Sequence, residues 1–524
     1  MVYLRGYQPG CIRQALSELP ETLDEMYERM LREIGKANSE LAHRLFQCVA
    51  VASRPHHAKE LAEFLAFEFK AGSIASFRED WRPEDLVGAV LSTCSALLTP
   101  VTVNGSVVIE FSHISVKEFL TSNRLAEADD EVLRRYHISM TPAHTLVAQA
   151  CLGILLHLDE TITRDRLDIY PLAEYAAHHW FEHTRFKNVS QFTDDGVEQL
   201  FDPRKPHFSI WIWICDPRYP SSASERAERP SPPEGTPLHY AAVCGLQGIV
   251  KSLVVVEHGN VDSWDYFTPL HVASSYGYLE VVRTLVEQGA DMTAQDNRKK
   301  TPLHAAAGEG RVDVARFLVE HGADATALDM HGWIPLHWAS LGGHVEVARF
   351  FIERGVDSTT RAYDGRTSLH VASEEGHVKV ARYLLEHGAD PRARAKDGRT
   401  PLHLASNARS LDIVRFLVEH GADVTARAND GRTSLHVTSE VGNVKVAHFL
   451  LEHGAELTAR ANDGRTSLHL AVEMGRVELV HALSSQYTDT TTVTTVRPLS
   501  HGRQYFYSFL AFSLFLVIFS QFML

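Results

Sequence analysis

Cysteine is scarce in this chain of 524 residues. The six present (Cys11, Cys48, Cys94, Cys151, Cys215 and Cys244) lie far apart, with no C-x-x-C among them. That spacing argues against a disulfide framework and points to reduced thiols in a cytosolic setting. The start, Met1-Val-Tyr-Leu-Arg5, lacks an apolar signal core, so secretion is not expected and the acceptor-like Asn104-Gly-Ser and Asn188-Val-Ser carry no weight. Positive charge is also short. A net charge of −15 argues against nucleic acid as a general partner. Nothing matches G-x-x-x-x-G-K-[ST], so no phosphate cradle and no nucleotide hydrolysis are expected. What remains, 44% hydrophobic and 22% charged, is ordinary globular composition with room for two to four domains.

The chain instead has a sentence written eight times between Gly235 and about Ser484. The clearest copy reads Thr301-Pro-Leu-His-Ala-Ala306, then Gly310, then Val312 through Glu320 to Gly322-Ala-Asp324. The copies open at Thr236, Thr268, Thr301, Ile334, Thr367, Thr400, Thr433 and Thr466; the first step is 32 residues and the other six are 33. Such register is the mark of a repeat array. Thr301 suits an N-cap and Pro302 the first helical position. Leu303, Ala305 and Ala306 give a short apolar helix, with glycine as the stop. A second helix covers 312–320, and segments such as Asn429-Asp-Gly431 carry turn chemistry. One unit cannot bury its apolar faces alone, whereas stacked units can.

The pattern T-P-L-H-x-A with G-A-D closing the second helix resembles the ankyrin repeat. Arg409 stands where the other copies have the glycine that ends the first helix, so that cap is expected to be strained. The first copy is irregular, which suits a terminal unit.

Ahead of the array, residues 1–125 read as an α+β module. Thr22-Leu-Asp-Glu25 is a capping box with the apolar stripe Leu23, Tyr27, Met30, Leu31 and Ile34 behind it. Ala96–Val103 and Val107–Phe111 flank Asn104-Gly105, a strong hairpin signal. Helices followed by a hairpin describe a winged helix. Leu19-Pro-Glu-Thr-Leu-Asp-Glu-Met-Tyr27, Ser53-Arg-Pro55 with Glu60-Leu-Ala62, and Phe111 through Leu120 resemble the segment after the NTPase core in fungal NACHT proteins with ankyrin tails. The resemblance implies an NTPase core upstream of Met1, and a module that packs within a protein rather than reading DNA.

Residues 126–216 read as a helical connector. Within it His179-Trp-Phe-Glu-His183 matches H-x-x-E-H, and its two histidines share a helix face, so the rival reading is a zinc-dependent hydrolase. No third ligand is indicated, and neither metal nor cofactor is expected. Residues 217–234 are a Pro/Ser-rich linker and 485–504 a Thr-rich tether. The 20 uncharged residues 505–524 are long enough to span a bilayer. Arg497, Arg503, Tyr505 and Tyr507 flank them suitably. The expected fold class is therefore mainly α: a winged-helix-like and helical region, an eight-repeat solenoid over 235–484, and a C-terminal transmembrane helix. The protein would then sit at the cytoplasmic face of a membrane.

The recurrent histidines (His239, His271, His304, His337, His370, His403, His436 and His469) read as structural members of the T-P-L-H turn. In this family binding falls on the finger tips and the concave face. By register Tyr240, Tyr276, Trp338, Glu374, Glu375, Glu440 and Glu473 are concave, while Trp264, Tyr266, Phe267 and Trp333 belong to fingers. The aromatics are candidate anchors. Four fingers end in Arg366, Arg399, Arg432 and Arg465, each after Asp-Gly. These either pair with neighbouring carboxylates or form a basic edge for an acidic or phosphorylated partner. The expected function is a non-enzymatic interaction scaffold of NACHT-type signalling descent.

Overall fold

A computed structural model describes residues 22–70, 74–94, 97–103, 105–218, 230, 233, 235–257, 267–408 and 410–489. The chain divides into two compact units, one ending at Tyr363 and the other beginning at Asp364.

In the first unit α1 (Leu23–Glu33) begins where the Thr22 hydroxyl accepts from the Glu25 N–H at 3.2 Å, as an N-cap should. Its Tyr27 and Leu31 are buried. There follow α2 (Ser39–Val51), β1 (His56–His57), α3 (Ala58–Glu63), the small ribbon β2 (Phe67–Glu68) with β3 (Ser76–Phe77), and α4 (Leu86–Cys94). β4 (Leu98–Val103) and β5 (Ser106–Phe111) pair antiparallel from Leu98↔Phe111 to Val103↔Ser106. β1 pairs with the other edge of β5, giving the order β1-β5-β4. Gly105, at φ +82°, supplies the left-handed turn residue that this tight connection needs. Asn104 lies outside the described residues.

A helical layer comes next: α5 (Ile114–Leu120), α6 (Met140–His157), α7 (Leu172–Thr184), α8 (Asp194–Leu200) and α9 (His207–Ile214). α6 packs against α7 and α2, and every residue from Val147 to Leu155 is buried. Trp180 meets Trp211 edge-on at 5.3 Å, and the Trp211 indole donates to the Ala177 carbonyl at 2.9 Å. α9 also covers the start of the array. Phe208 and Trp211 pack on Tyr240, whose hydroxyl donates to Asp216 at 3.0 Å. Tyr240 is therefore fully buried, not a concave surface residue as its register predicts. The helical layer occupies the place that a preceding repeat would fill.

Each copy contributes two helices. In the first unit the first helices are Pro237–Val243, Pro269–Tyr276, Pro302–Gly308 and Pro335–Leu341, each stacked on the next. In the second unit they are Ser368–Glu374, Pro401–Asn407, Ser434–Val441 and Ser467–Glu473, stacked in the same way. Small residues allow this approach: Ala273, Ala306, Ala339, Ala372, Ala405 and Ala471 are fully buried. Arg409, where a strained cap was expected, lies outside the described residues.

One expectation is corrected. Among the described residues no helix is long and apolar enough to cross a membrane. The longest, α6, has 18 residues and buries its apolar surface against protein. The run 505–524, on which the transmembrane expectation fell, lies outside the described residues. The fold is mainly helical with a repeat array.

Candidate functional site

Within each copy the histidine of T-P-L-H ties two pieces of backbone together. Thr301 N–H donates to His304 Nδ1 at 3.1 Å and the Thr301 hydroxyl lies 2.9 Å from the same atom. With Nδ1 accepting, the proton sits on Nε2, which donates to the Trp333 carbonyl at 3.0 Å. His271 reaches Lys300 O (2.8 Å), His370 reaches Arg399 O (3.3 Å), His403 reaches Arg432 O (3.1 Å) and His436 reaches Arg465 O (3.3 Å). Burial lowers the pKa of His271, His304, His403 and His436, in keeping with a neutral ring. Each of these carbonyls belongs to the residue just before the next T-P-L-H. A buried histidine in one copy therefore fixes the finger residue of its neighbour.

That finger position runs Phe267, Lys300, Trp333 in the first unit and Arg366, Arg399, Arg432, Arg465 in the second. The arginines are clamped. Asp364 Oδ1 accepts the Arg366 backbone N–H at 3.0 Å, while its other oxygen lies 3.3 Å from Arg366 Nε. Glu374 then takes Nη1 at 2.7 Å. Arg432 repeats this with Asp430 and Glu440 (3.6 and 2.7 Å), and Arg465 with Asp463 and Glu473 (3.7 and 2.9 Å). Arg399 meets Asp397 at 3.5 Å, but Asn407 stands where the others have glutamate. Among the described residues it has no second carboxylate. Along the same edge Arg394 donates to Arg427 O at 2.6 Å, and Arg427 donates to Arg460 O. Asn429 and Asn462 donate to Lys396 O and Asn429 O, both at 2.8 Å. The edge is thus a charge-compensated ladder, in which exposed pairs contribute only about 0–1 kcal/mol each.

In the first unit the aromatics are partly committed to structure. Buried Asp329 accepts the His331 and Trp333 backbone N–H groups, both at 2.8 Å, and the Trp338 indole at 3.0 Å. Lys300 Nζ lies 3.6 Å above the Trp338 ring, and Trp333 meets Trp338 edge-on at 5.6 Å. Both tryptophans are half-buried. Tyr276 is 44% exposed and stacks on Tyr278 at 5.6 Å. Trp264 and Tyr266 lie outside the described residues.

A sequence model for ankyrin repeats in three copies matches residues 221–296, 290–362, 356–428 and 425–494, just over half of the chain. The chain belongs to the ankyrin-repeat family. Ankyrin repeats confer a protein–protein interaction role. A curated relative, the azaphilone pigments biosynthesis cluster protein L of Monascus ruber, is 28% identical over 292 residues, covering 53% of this chain and 61% of that protein. The alpha-latrocrustotoxin-Lt1a of Latrodectus tredecimguttatus is 43% identical over 61 residues, 11% of this chain and 4% of the toxin. This chain thus spans about three fifths or less of the length of these relatives. The crystal structure of the human ASB11 ankyrin repeat domain aligns at 28% identity with a TM-score of 0.38, covering 44% of this chain and 100% of that one.

Outside the ankyrin array, the H-x-x-E-H histidines do not converge. His183 is buried, with Nε2 3.0 Å from the Tyr175 hydroxyl and Nδ1 2.9 Å from His144 Nδ1. His179 instead pairs with Glu182 at 3.1 Å. Burial, with His144 and His56 nearby, lowers the His183 pKa to about 3. Both ring nitrogens of His183 are engaged in a packing network. Among the described residues no group of three His, Cys, Asp or Glu is placed to hold a metal ion. The sequence reading overlooked Asp329 as the hub of the Trp333–Trp338 pair, although D-x-x-G-W beside D-G-R was visible as a register variant.

Proposed function

We propose that this ankyrin-repeat protein is a non-enzymatic scaffold whose array recognises a protein partner. The finger edge of Arg366, Arg399, Arg432 and Arg465 supplies orientation. The observation that carries this reading is the arginine ladder itself, repeated every 33 residues, with the backbone of Arg399, Arg432 and Arg465 anchored from the copy before. Guanidinium groups held at fixed spacing favour a partner with carboxylates or phosphates at matching intervals. Arg399 is the natural seat for such a group, because the place of its second clamp is taken by Asn407. In the same reading residues 1–125 are a winged-helix-like module descended from NACHT-type signalling proteins, supported by the Leu19–Tyr27 and Phe111–Leu120 segments. The function is then recruitment by the array within a larger signalling assembly.

The test is comparative affinity purification of the full chain against a variant with all four arginines changed to glutamate. A defined partner set should be lost from the variant while its circular dichroism stays unchanged. Recovery of the same partners by both proteins would refute the role of this edge.

A further inference from the structure

Two columns of the array are exposed in every described finger: the residues six and four before the one that opens each copy. Polar side chains fill them almost throughout. The first column has Gln295, Arg361, Arg394, Arg427 and Arg460, and the second has Asn297, Lys396, Asn429 and Asn462. The fingers that lead into the fourth and fifth copies depart from this. Leu328 and Met330 stand in both columns of one finger, and Tyr363 follows Met330 in the next. They are 43%, 47% and 58% exposed.

The backbone explains why these three face outward. Asp329, between Leu328 and Met330, is buried and accepts the Trp338 indole N–H at 3.0 Å. In extended chain the neighbours of an inward residue point the other way. Met330 N–H donates to the Arg298 carbonyl at 2.9 Å and Tyr363 N–H to the His331 carbonyl at 3.0 Å, so successive fingers are tied edge to edge. Gly332 lets the next finger close in, since a Cβ there would lie 2.6 Å from Tyr363 Cδ1. The Tyr363 ring therefore lies against the finger that carries Leu328 and Met330. Scattered exposed apolar residues are ordinary, but three together in columns otherwise polar mark an interaction surface.

The side chains that border them are cationic. Arg298 and Lys299 on one side and Arg361 on the other are exposed. Neither Arg298 nor Lys299 makes an ion pair among the described residues. The carboxylates that stand between the two columns are turned to backbone: Asp296 accepts the Arg298 and Lys300 N–H groups, and Asp329 those of His331 and Trp333. Asp324 and Asp357 accept from Thr326 and Thr359 within their own turns.

We propose that Leu328, Met330 and Tyr363 dock a segment of the partner protein in which an apolar side chain is flanked by carboxylates. The inference rests on the protein-recognition reading above and adds to the arginine edge a surface in the first unit. Charge decides the occupant. The adaptable Met330 and the Tyr363 ring suit an apolar anchor, while Arg298, Lys299 and Arg361 favour carboxylates beside it. A net charge of −15 disfavours both a second copy of this chain and an anionic lipid surface.

The experiment uses the full chain with methyl-labelled methionines and three capped, fluorescent hexapeptides: Glu-Glu-Leu-Phe-Glu-Glu, Glu-Glu-Ser-Ser-Glu-Glu and Lys-Lys-Leu-Phe-Lys-Lys. The first is expected to bind at least about fivefold more tightly than either of the others, the order of one half-covered side chain's contribution. It should move the Met330 methyl resonance and leave that of Met474 in place, each assigned by its loss in the corresponding leucine variant. Met474 is 48% exposed in the last copy and reports indiscriminate apolar contact. The triple variant Leu328→Gln, Met330→Asn, Tyr363→Asn borrows residue types that Gln295, Asn297 and Asn429 already place in these columns, so the fingers should keep their fold. Binding of the first peptide should then fall by about tenfold or more. Arg298→Gln alone should weaken it by about threefold. Equal affinities for the three peptides, equal shifts at Met330 and Met474, or undiminished binding by the triple variant or by Arg298→Gln would each overturn the proposal. So would dimerisation of the unaltered chain, or its binding to phosphatidylserine vesicles, if the triple variant abolished it, because the patch would then belong to a second copy or to a lipid surface. The purification with the ladder variant reads different arginines, so the two readings fall separately.

Discussion

Seven T-P-L-H histidines accept a backbone N–H at Nδ1, whereas His239 Nδ1 has no partner among the described residues, which makes a controlled comparison. His304→Ala removes the Nδ1 acceptor of the buried Thr301 N–H and the Nε2 donor to the Trp333 carbonyl. Leaving one buried backbone group unpaired costs about 1–3 kcal/mol, and an unfilled imidazole space adds to that. The expected loss is about 3–5 kcal/mol, felt in the third and fourth copies because repeats couple through their neighbours. His239→Ala vacates a similar volume but breaks no Nδ1 bond, so its loss should be smaller by about 1–3 kcal/mol. A chain with two compact units has no single unfolding free energy. Native-state hydrogen exchange on the first-helix amides of copies one, three and four is therefore the right assay. Equal losses for the two substitutions would refute the claim that the Nδ1 bond, rather than packing alone, holds each copy.

Two further outcomes can be measured. Lys299 has φ +57° at the place where Gly332, Gly365, Gly398, Gly431 and Gly464 stand at +75° to +81°, so Lys299→Gly should stabilise the second-to-third-copy finger by about 1 kcal/mol; unchanged exchange there would show that Asp296, which accepts the Arg298 and Lys300 N–H groups, already offsets the strain. His183 is held at about 3 when folded against 6.5 for a free side chain, so the unfolded state binds the extra proton between those values and stability falls as pH drops through that window, by up to about 1.4 kcal/mol per pH unit. Acid unfolding followed by Trp180 and Trp211 fluorescence should lose about one proton of pH dependence in His183→Gln, and an unaltered slope would reject the assignment.

What the sequence displayed clearly was whatever repeats. Eight openings in register give the helices, the Thr–His turn and the glycine stops, because each copy must present the same faces to its neighbours. What it hid depends on single departures from that register. Ile334 lacks the threonine hydroxyl, yet its N–H still reaches His337 at 3.3 Å. Asn407 breaks the glutamate column and leaves Arg399 with one carboxylate among the described residues. Register places Tyr240 on the concave face, but its counterparts Val272, Val371 and Leu404 are buried as it is, and α9 packs over it, which no periodicity within the array reports. The H-x-x-E-H at 179–183 misled for the opposite reason. Two histidines four apart do share a helix face, but His183 turns into the core toward Tyr175 and His144 while His179 meets Glu182.

The proposed recognition role puts most weight on the positions that break the repeat. Arg366, Arg432 and Arg465 are each held by an Asp and a Glu, so a partner anion on this edge has to share them with those carboxylates, while Arg399 has one carboxylate among the described residues. Selectivity between partners requires positions that differ from copy to copy. One such position is Arg399 in the second unit, where Asn407 replaces the second carboxylate of the clamp. The regular copies supply the rigidity against which that arginine is held, since the histidine bonds of one copy anchor the finger backbone of the next. On the proposed reading a partner therefore gains most at Arg399, which the neighbouring copies of the second unit hold in place through the His370 and His403 bonds.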